Sequence, residues 1–173
     1  MDVREIRAPS LEYLDLYCER RAVAVSRIAL RILGATWPDC QRLAAALGRA
    51  MQLTGILRDL TQDAARQRLY LPRELLCAHG IFATIPSHVL AQPALPRACN
   101  ALAERAAAHF AEAERAIVAR PRLAMLAATA MLSTYGTLFE ALLARGWTRL
   151  EKPVRIPAWH QKLLRVGHSL IGR

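Results

Sequence analysis

An all-α fold is what this sequence predicts, and three observations carry it. Alanine and leucine dominate a composition that is 54% hydrophobic but only 6% aromatic, which favours helix over strand. No alternating β-branched run appears anywhere along the chain. Apolar residues instead recur at helical spacing between proline and glycine breaks. With 173 residues there is enough chain for one ordinary core, so residues 1–173 are read as a single helical domain.

The elements follow in order. Residues 1–10 form a charged lead-in ending at Pro9-Ser10, where the Ser10 hydroxyl is placed to accept from an orphan amide of the first helical turn. A helix then runs from Leu11 to Leu33 and closes at Gly34. A loop through Thr36, Trp37 and Pro38 leads into a central helix from Asp39 to Gln67, with Asp39 as its cap and Pro72 marking the exit. Arg73 to Leu76 form a short helical turn before Gly80, and Ile81 to Pro96, with three prolines, read as connected short helices and turns. From Ala98 to Arg120 a long helix places Leu102, Ala106, Phe110, Ala113 and Ile117 on one stripe. His109 lies beside that stripe as a structural histidine, since no second histidine or acid is spaced to join it as a ligand. After Pro121 an apolar helix spans Arg122 to Leu143 and ends near Gly146, and a last helix covers Ala158 to Ile171.

The chemistry concentrates between Leu47 and Pro72, in LGRAMQLTGILRDLTQDAARQRLYLP. Asp59 and Asp63 stand four residues apart, one turn apart on the same helical face. Gln52 lies two turns before Asp59 on roughly that side, and Arg58, Arg66 and Arg68 are close in sequence. Stacked carboxylates suit a hard cation such as Mg²⁺, which bridges one or two carboxylates to a substrate phosphate. Arginines supply planar forks for the remaining phosphate oxygens. A solvated helix laced with Asp–Arg pairs is the other reading of the DxxxD spacing alone.

The longer string is more specific. Leu47-Gly48, Gln52, Ile56, Arg58-Asp59, Asp63, Arg68, Tyr70 and Pro72 follow the pattern LGxxxQ, IxRDxxxD, RxYxP, which resembles the second aspartate-rich signature of the squalene/phytoene synthase family. The ILRDLTQDAARQRLYLPRE wording is most similar to the bacterial branch that makes presqualene diphosphate or squalene for hopanoids, with phytoene synthases as close relatives. Tyr17-Cys18 and the small-residue run after it resemble the family's other recognisable stretch. Two positions depart from the signature: Gly55 stands where the family has asparagine, and Gln62 where relatives often carry an acid.

The resemblance implies an isoprenoid-synthase-type helical bundle that condenses two prenyl diphosphates head to head. It implies that Asp59 and Asp63 bind Mg²⁺, that Arg58, Arg66 and Arg68 hold diphosphate with Tyr70 beside them, and that Gln52 orients metal-bound water or ligand. Tyr17 would handle a proton during diphosphate loss; read by itself it is an ordinary core tyrosine. The similarity runs from just before the tyrosine-cysteine helix to the C-terminus. A first aspartate-rich motif belongs upstream of Tyr17, where Asp2, Glu5, Glu12 and Asp15 are isolated acids. The expectation is therefore a bundle truncated at its N-terminus, with little or no synthase activity on its own, or a non-catalytic partner subunit of the same fold. Chain length of the substrate, use of NADPH and oligomeric state are left open.

Charge narrows the partners. The 24 basic against 14 acidic residues give a net charge of +10, suited to diphosphates or an anionic membrane surface. Nucleic acid is not expected, because zinc-finger spacing, RRM-type aromatics and basic runs interleaved with aromatics are all missing. Cys18, Cys40, Cys77 and Cys99 form no CxxC pair, which fits a reducing cytoplasm and mostly buried, inert thiols. The uncharged run from Leu123 to Phe139 contains a cluster of Thr, Ser and Tyr and reads as a core helix rather than a span. From Arg145 onward seven basic residues face one acid, Glu151. That end either rests peripherally on the inner face of a membrane or packs as a solvated surface.

Overall fold

The computed structural model describes residues 6–32, 39–118 and 126–154. Eight α-helices and one π-helical segment make up the described fold: α1 Leu11–Cys18, the π segment Glu19–Val23, α2 Ala24–Ile32, α3 Asp39–Arg58, α4 Leu60–Ala65, α5 Arg73–Ala78, α6 Pro86–Leu90, α7 Leu95–Val118 and α8 Leu126–Arg145. Among the described residues the β-type pairing is a single parallel bridge between Arg7 and Leu69. The expected all-α class is what the molecule adopts.

Helix α3 is the hub. It packs most extensively on α7, then on α2 and the π segment, and more lightly on α8 and α1. Leu47, Met51, Leu53, Ile56 and Leu57 bury their side chains there, and Leu102, Ala106, Phe110 and Ala113 answer from α7. Close approach to the π segment depends on Gly48: a Cβ at that position would lie 2.8 Å from both Cα and N of Val23. Backbone atoms cannot swing aside as a side-chain tip can, so a side chain here forces the two elements apart.

Several predicted boundaries change. The first helix is a continuous helical path, but its middle turn is π-helical, and α2 continues it. The Ser10 cap is present, with Oγ accepting from the Tyr13 amide at 3.1 Å. The central helix is not continuous to Gln67, because it is interrupted at Asp59, whose φ of −96° and ψ of 12° lie in the bridge region. The long helix starts at Leu95 rather than Ala98. Pro96 falls in its first turn, where no amide partner is lost. Helix α8 extends to Arg145 and stops at Gly146, whose positive φ of 70° supplies the left-handed cap.

Helix α4 ends on a Schellman motif. The Arg68 amide donates to the Asp63 carbonyl at 2.8 Å and the Gln67 amide to the Ala64 carbonyl at 3.0 Å. Gln67 occupies the left-handed position with φ 58°, where glycine is usual. Among the described helices none is long and apolar enough to cross a membrane. The caps assigned to Gly34 and the Asp39 side chain, the Cys40 thiol and the helix at 158–171 lie outside the described residues.

Candidate active site

Asp59 sits at the junction of α3 and α4, and Asp63 one turn later in the first turn of α4. The backbone bonds from the Asp59 amide to the Gly55 carbonyl at 3.0 Å and from the Asp63 amide to the Asp59 carbonyl at 2.8 Å bridge the junction. The two carboxylates therefore keep their one-turn relation despite the interruption. Both are buried, at 6% and 5% exposure, which removes the solvated-helix reading of this spacing. A buried carboxylate requires compensation. Arg58 supplies it to Asp59 as a two-pronged pair, Nε to Oδ1 at 2.6 Å and Nη2 to Oδ2 at 2.7 Å. Burial pulls the Arg58 guanidinium toward its neutral form, but the Asp59 bonds and the nearby charges outweigh this and hold it more firmly protonated than usual.

The other predicted residues divide. Gln52 is buried on α3, two turns before Asp59. Tyr17 and Tyr70 are both buried and meet, with ring centroids 5.2 Å apart. Arg21 lies over the Tyr17 ring at 5.8 Å. Tyr70 follows the bridge between Arg7 and Leu69, so backbone pairing fixes its position against the first helix. Arg68 is half-buried just after the Schellman turn, whereas Arg66, the residue that caps α4, is exposed. Gln62 is exposed on α4. Around Gly55 nothing lies within 4 Å of where a Cβ would stand, so the glycine leaves open room one turn before Asp59.

A cleft of about 400 Å³ opens at this junction; Arg58, Asp59, Leu138, Arg145, Glu151 and Lys152 are among its lining residues. Asp63, Gln52, Tyr17 and Tyr70 do not line it among the described residues. Sequence reasoning missed two contributors. Tyr135 is buried on α8 in the neighbourhood of Arg58. Arg145 closes the cleft from the end of α8. The hint for Tyr135 was a polar cluster within an uncharged helix, and for Arg145 its place at the head of the basic C-terminal stretch. His109 has Glu112 one turn on, its Nδ1 3.8 Å from a carboxylate oxygen, an acid the spacing argument had passed over. Burial and the neighbouring Arg49 hold His109 below the ordinary histidine range.

A family model for squalene/phytoene synthases matches residues 1–160. The chain belongs to the squalene/phytoene synthase family. It is 46% identical over 172 residues to a presqualene diphosphate synthase of Sinorhizobium fredii, covering 99% of this chain and 62% of that relative. To a presqualene diphosphate synthase of Rhodopseudomonas palustris it is 47% identical over 157 residues, 90% of this chain and 56% of the relative. The crystal structure of a squalene synthase from Alicyclobacillus acidocaldarius superposes with a TM-score of 0.71 at 29% identity, over 83% of this chain and 53% of that one. The chain thus spans about three-fifths of the curated relatives it matches.

Within this squalene/phytoene synthase chain, two buried carboxylates one turn apart are donors of the kind a hard dication takes, with Asp59 held by Arg58 and Asp63 outside the cleft lining. Asp59 and Asp63 offer carboxylate oxygens one turn apart, and Mg²⁺ typically takes one or two carboxylates plus phosphate oxygens. Among the described residues no group of three His, Cys, Asp or Glu side chains converges.

Proposed function

We propose that this chain carries the diphosphate-gripping half of a head-to-head prenyl transferase, which joins two farnesyl diphosphates to presqualene diphosphate or squalene. The observation that carries the reading is the buried Asp59–Asp63 pair with the Arg58 fork clamped on Asp59 at the edge of a cleft. The names of the relatives at 46% and 47% identity support the choice of reaction over the phytoene synthase type.

Asp59 and Asp63 would hold Mg²⁺, which supplies charge neutralisation for the departing diphosphate when bound. Arg58, with Nε and Nη2 both on Asp59, adds its positive charge where the phosphate would sit. Arg68, and Arg66 from the exposed end of α4, add positive charge on the same side, while Gln52 orients water or ligand. Loss of diphosphate leaves a cation on the prenyl chain, and the second substrate's double bond attacks it. The apolar surfaces of α3 and α7 keep water from that cation. Tyr17, stacked on Tyr70, handles the proton. The basic C-terminal end rests on an anionic membrane surface where a lipid product leaves, a role consistent with hopanoid synthesis in the cytoplasm. Asp59 and Asp63 are the buried acids among the described residues, so the reading assigns them substrate grip.

The test is isothermal titration of the protein with farnesyl diphosphate in the presence and absence of Mg²⁺. Micromolar, metal-dependent binding that the Asp59→Asn, Asp63→Asn double variant abolishes is the expected result. Binding unaffected by that double variant overturns the assignment. One observation favours a second reading, a non-catalytic helical partner of the same fold. Both oxygens of Asp59 are already engaged by Arg58, and the asparagine and acid of related signatures are replaced by Gly55 and Gln62. No metal-dependent binding in the same titration selects it.

A further inference from the structure

Arg145 is the last residue of α8, and its guanidinium turns back over the segment that follows. Nε donates to the Gly146 carbonyl at 3.2 Å, and Nη1 donates to the carbonyls of Leu150 at 3.3 Å and Lys152 at 3.4 Å. The guanidinium also lies 5.6 Å from the Trp147 ring centroid. Trp147 is itself buried and anchored on α7, its Nε1 donating to Asn100 Oδ1 at 2.6 Å. Residues 146–152 thus form a strap outside helix and strand, with a turn bond from the Lys152 amide to the Arg149 carbonyl at 3.2 Å, anchored by Trp147 and gathered by the Arg145 side chain.

That strap helps to line the cleft: Leu150, Glu151 and Lys152 join Arg58 and Asp59 in its lining. The Arg145 fork ends on carbonyl oxygens rather than on an acid, so the cleft lining sets Arg58, Arg145 and Lys152 against Asp59 and Glu151. Nη2 is buried and makes no hydrogen bond. A neutral amide could satisfy the carbonyls without burying a charged donor, so retaining arginine here fits a cleft that receives an anion.

We infer that Arg145 is a positioning residue that buckles the strap 146–152 into place as part of the lining of the diphosphate cleft. The ligand half of this inference rests on the proposed function; the strap half does not. Lysine keeps the charge but cannot reach several carbonyls from one planar fork.

The experiment compares wild type with Arg145→Lys and Arg145→Met in two measurements. Hydrogen exchange of amides 147–152 is followed by mass spectrometry, with α7 as the internal control. Affinity for inorganic pyrophosphate with Mg²⁺ is followed by calorimetry. Both variants are expected to speed exchange in the strap by about tenfold while leaving α7 unchanged, and to weaken pyrophosphate binding by about tenfold. Unchanged strap exchange in both variants overturns the inference, and so does full wild-type affinity in Arg145→Lys, which would make charge alone sufficient. A wild-type protein that does not bind pyrophosphate, yet whose variants loosen the strap, overturns the diphosphate reading and leaves the buckle standing.

Discussion

Replacing Gly48 and Gly55 separately by alanine isolates the helix contact on which the site is mounted. Both glycines lie inside α3, so each replacement gains about 1 kcal/mol of helix propensity. Their surroundings differ. At Gly55 nothing lies within 4 Å of a built Cβ, so Gly55→Ala should show that gain undiminished. At Gly48 the new methyl meets Val23 Cα and N at 2.8 Å and the Ala22 carbonyl carbon at 2.9 Å. Overpacking a rigid core contact costs about 1–3 kcal/mol, and backbone neighbours place this case toward the upper end. The two variants should therefore differ by about 1–3 kcal/mol. For a chain of this size that separates their melting temperatures by roughly 2–12 °C, with Gly55→Ala the higher. Displacement of α3 from the π segment also shifts the aspartates on α3–α4 relative to Tyr17, so Gly48→Ala should weaken diphosphate binding while Gly55→Ala does not. Differential scanning calorimetry of the two proteins decides it. Equal stabilisation by both would refute the claim that α3 and the π segment meet backbone to backbone at Gly48.

Three further outcomes follow from the same geometry. Arg58→Met strips the two-pronged partner from a buried carboxylate and should destabilise by about 3–5 kcal/mol in urea unfolding, whereas Arg58→Met combined with Asp59→Leu should recover most of that loss. Gln67→Gly relieves a side chain from the left-handed position of the Schellman turn and should raise stability by about 1 kcal/mol, read from the denaturation midpoint. Burial pushes the Cys18 and Cys99 thiols up to about 12 from an ordinary value of 9.0, whereas Cys77 is exposed. Below pH 9 both folded and unfolded thiols stay protonated. From pH 9 toward 12 the unfolded state ionises first, so stability falls with rising pH across that window, and replacing Cys18 and Cys99 by alanine should flatten the fall. A thiol reagent at pH 8 should label Cys77 quickly and the buried pair only on unfolding.

How far the sequence revealed this molecule depended on the range of the interactions involved. Ser10, the stripe on α7 and the glycine after α8 act within one or two turns, and spacing alone located them. The break at Asp59 was invisible because no proline or glycine marks it, and hydrogen bonds at both Asp59 and Asp63 preserve the register a sequence reader counts. The π turn at Glu19–Val23 was equally silent, since its residues are ordinary helix formers. The one-turn relation of Asp59 and Asp63 was legible because an ordered string of fixed positions held it, whereas neither Asp63 nor Gln52, both buried, lines the cleft. The places of Tyr135 and Arg145 were not legible, because they reach the site from α8 by packing rather than by proximity in the chain.

Tyr17 and Tyr70 stand far apart in sequence, and three separate fastenings account for their meeting. The Ala8 amide donates to the Leu69 carbonyl at 3.0 Å and the Leu69 amide to the Ile6 carbonyl at 2.7 Å, which lays the start of the chain alongside the RxYxP stretch. One helix further on, Glu74 of α5 accepts from the Leu11 amide at 3.0 Å, capping α1 from the same side. At the other end Gly48 seats the π segment directly on α3. Tyr17 lies between these fastenings, so neither end of its helix can slide without breaking backbone pairing or opening the glycine contact. The two signature stretches, one around Tyr17 and one from Leu47 to Pro72, therefore behave as a single unit. The tyrosine pair is held relative to Asp59 by α3 itself, which carries Gly48 near one end of the unit and runs into the aspartate junction at the other.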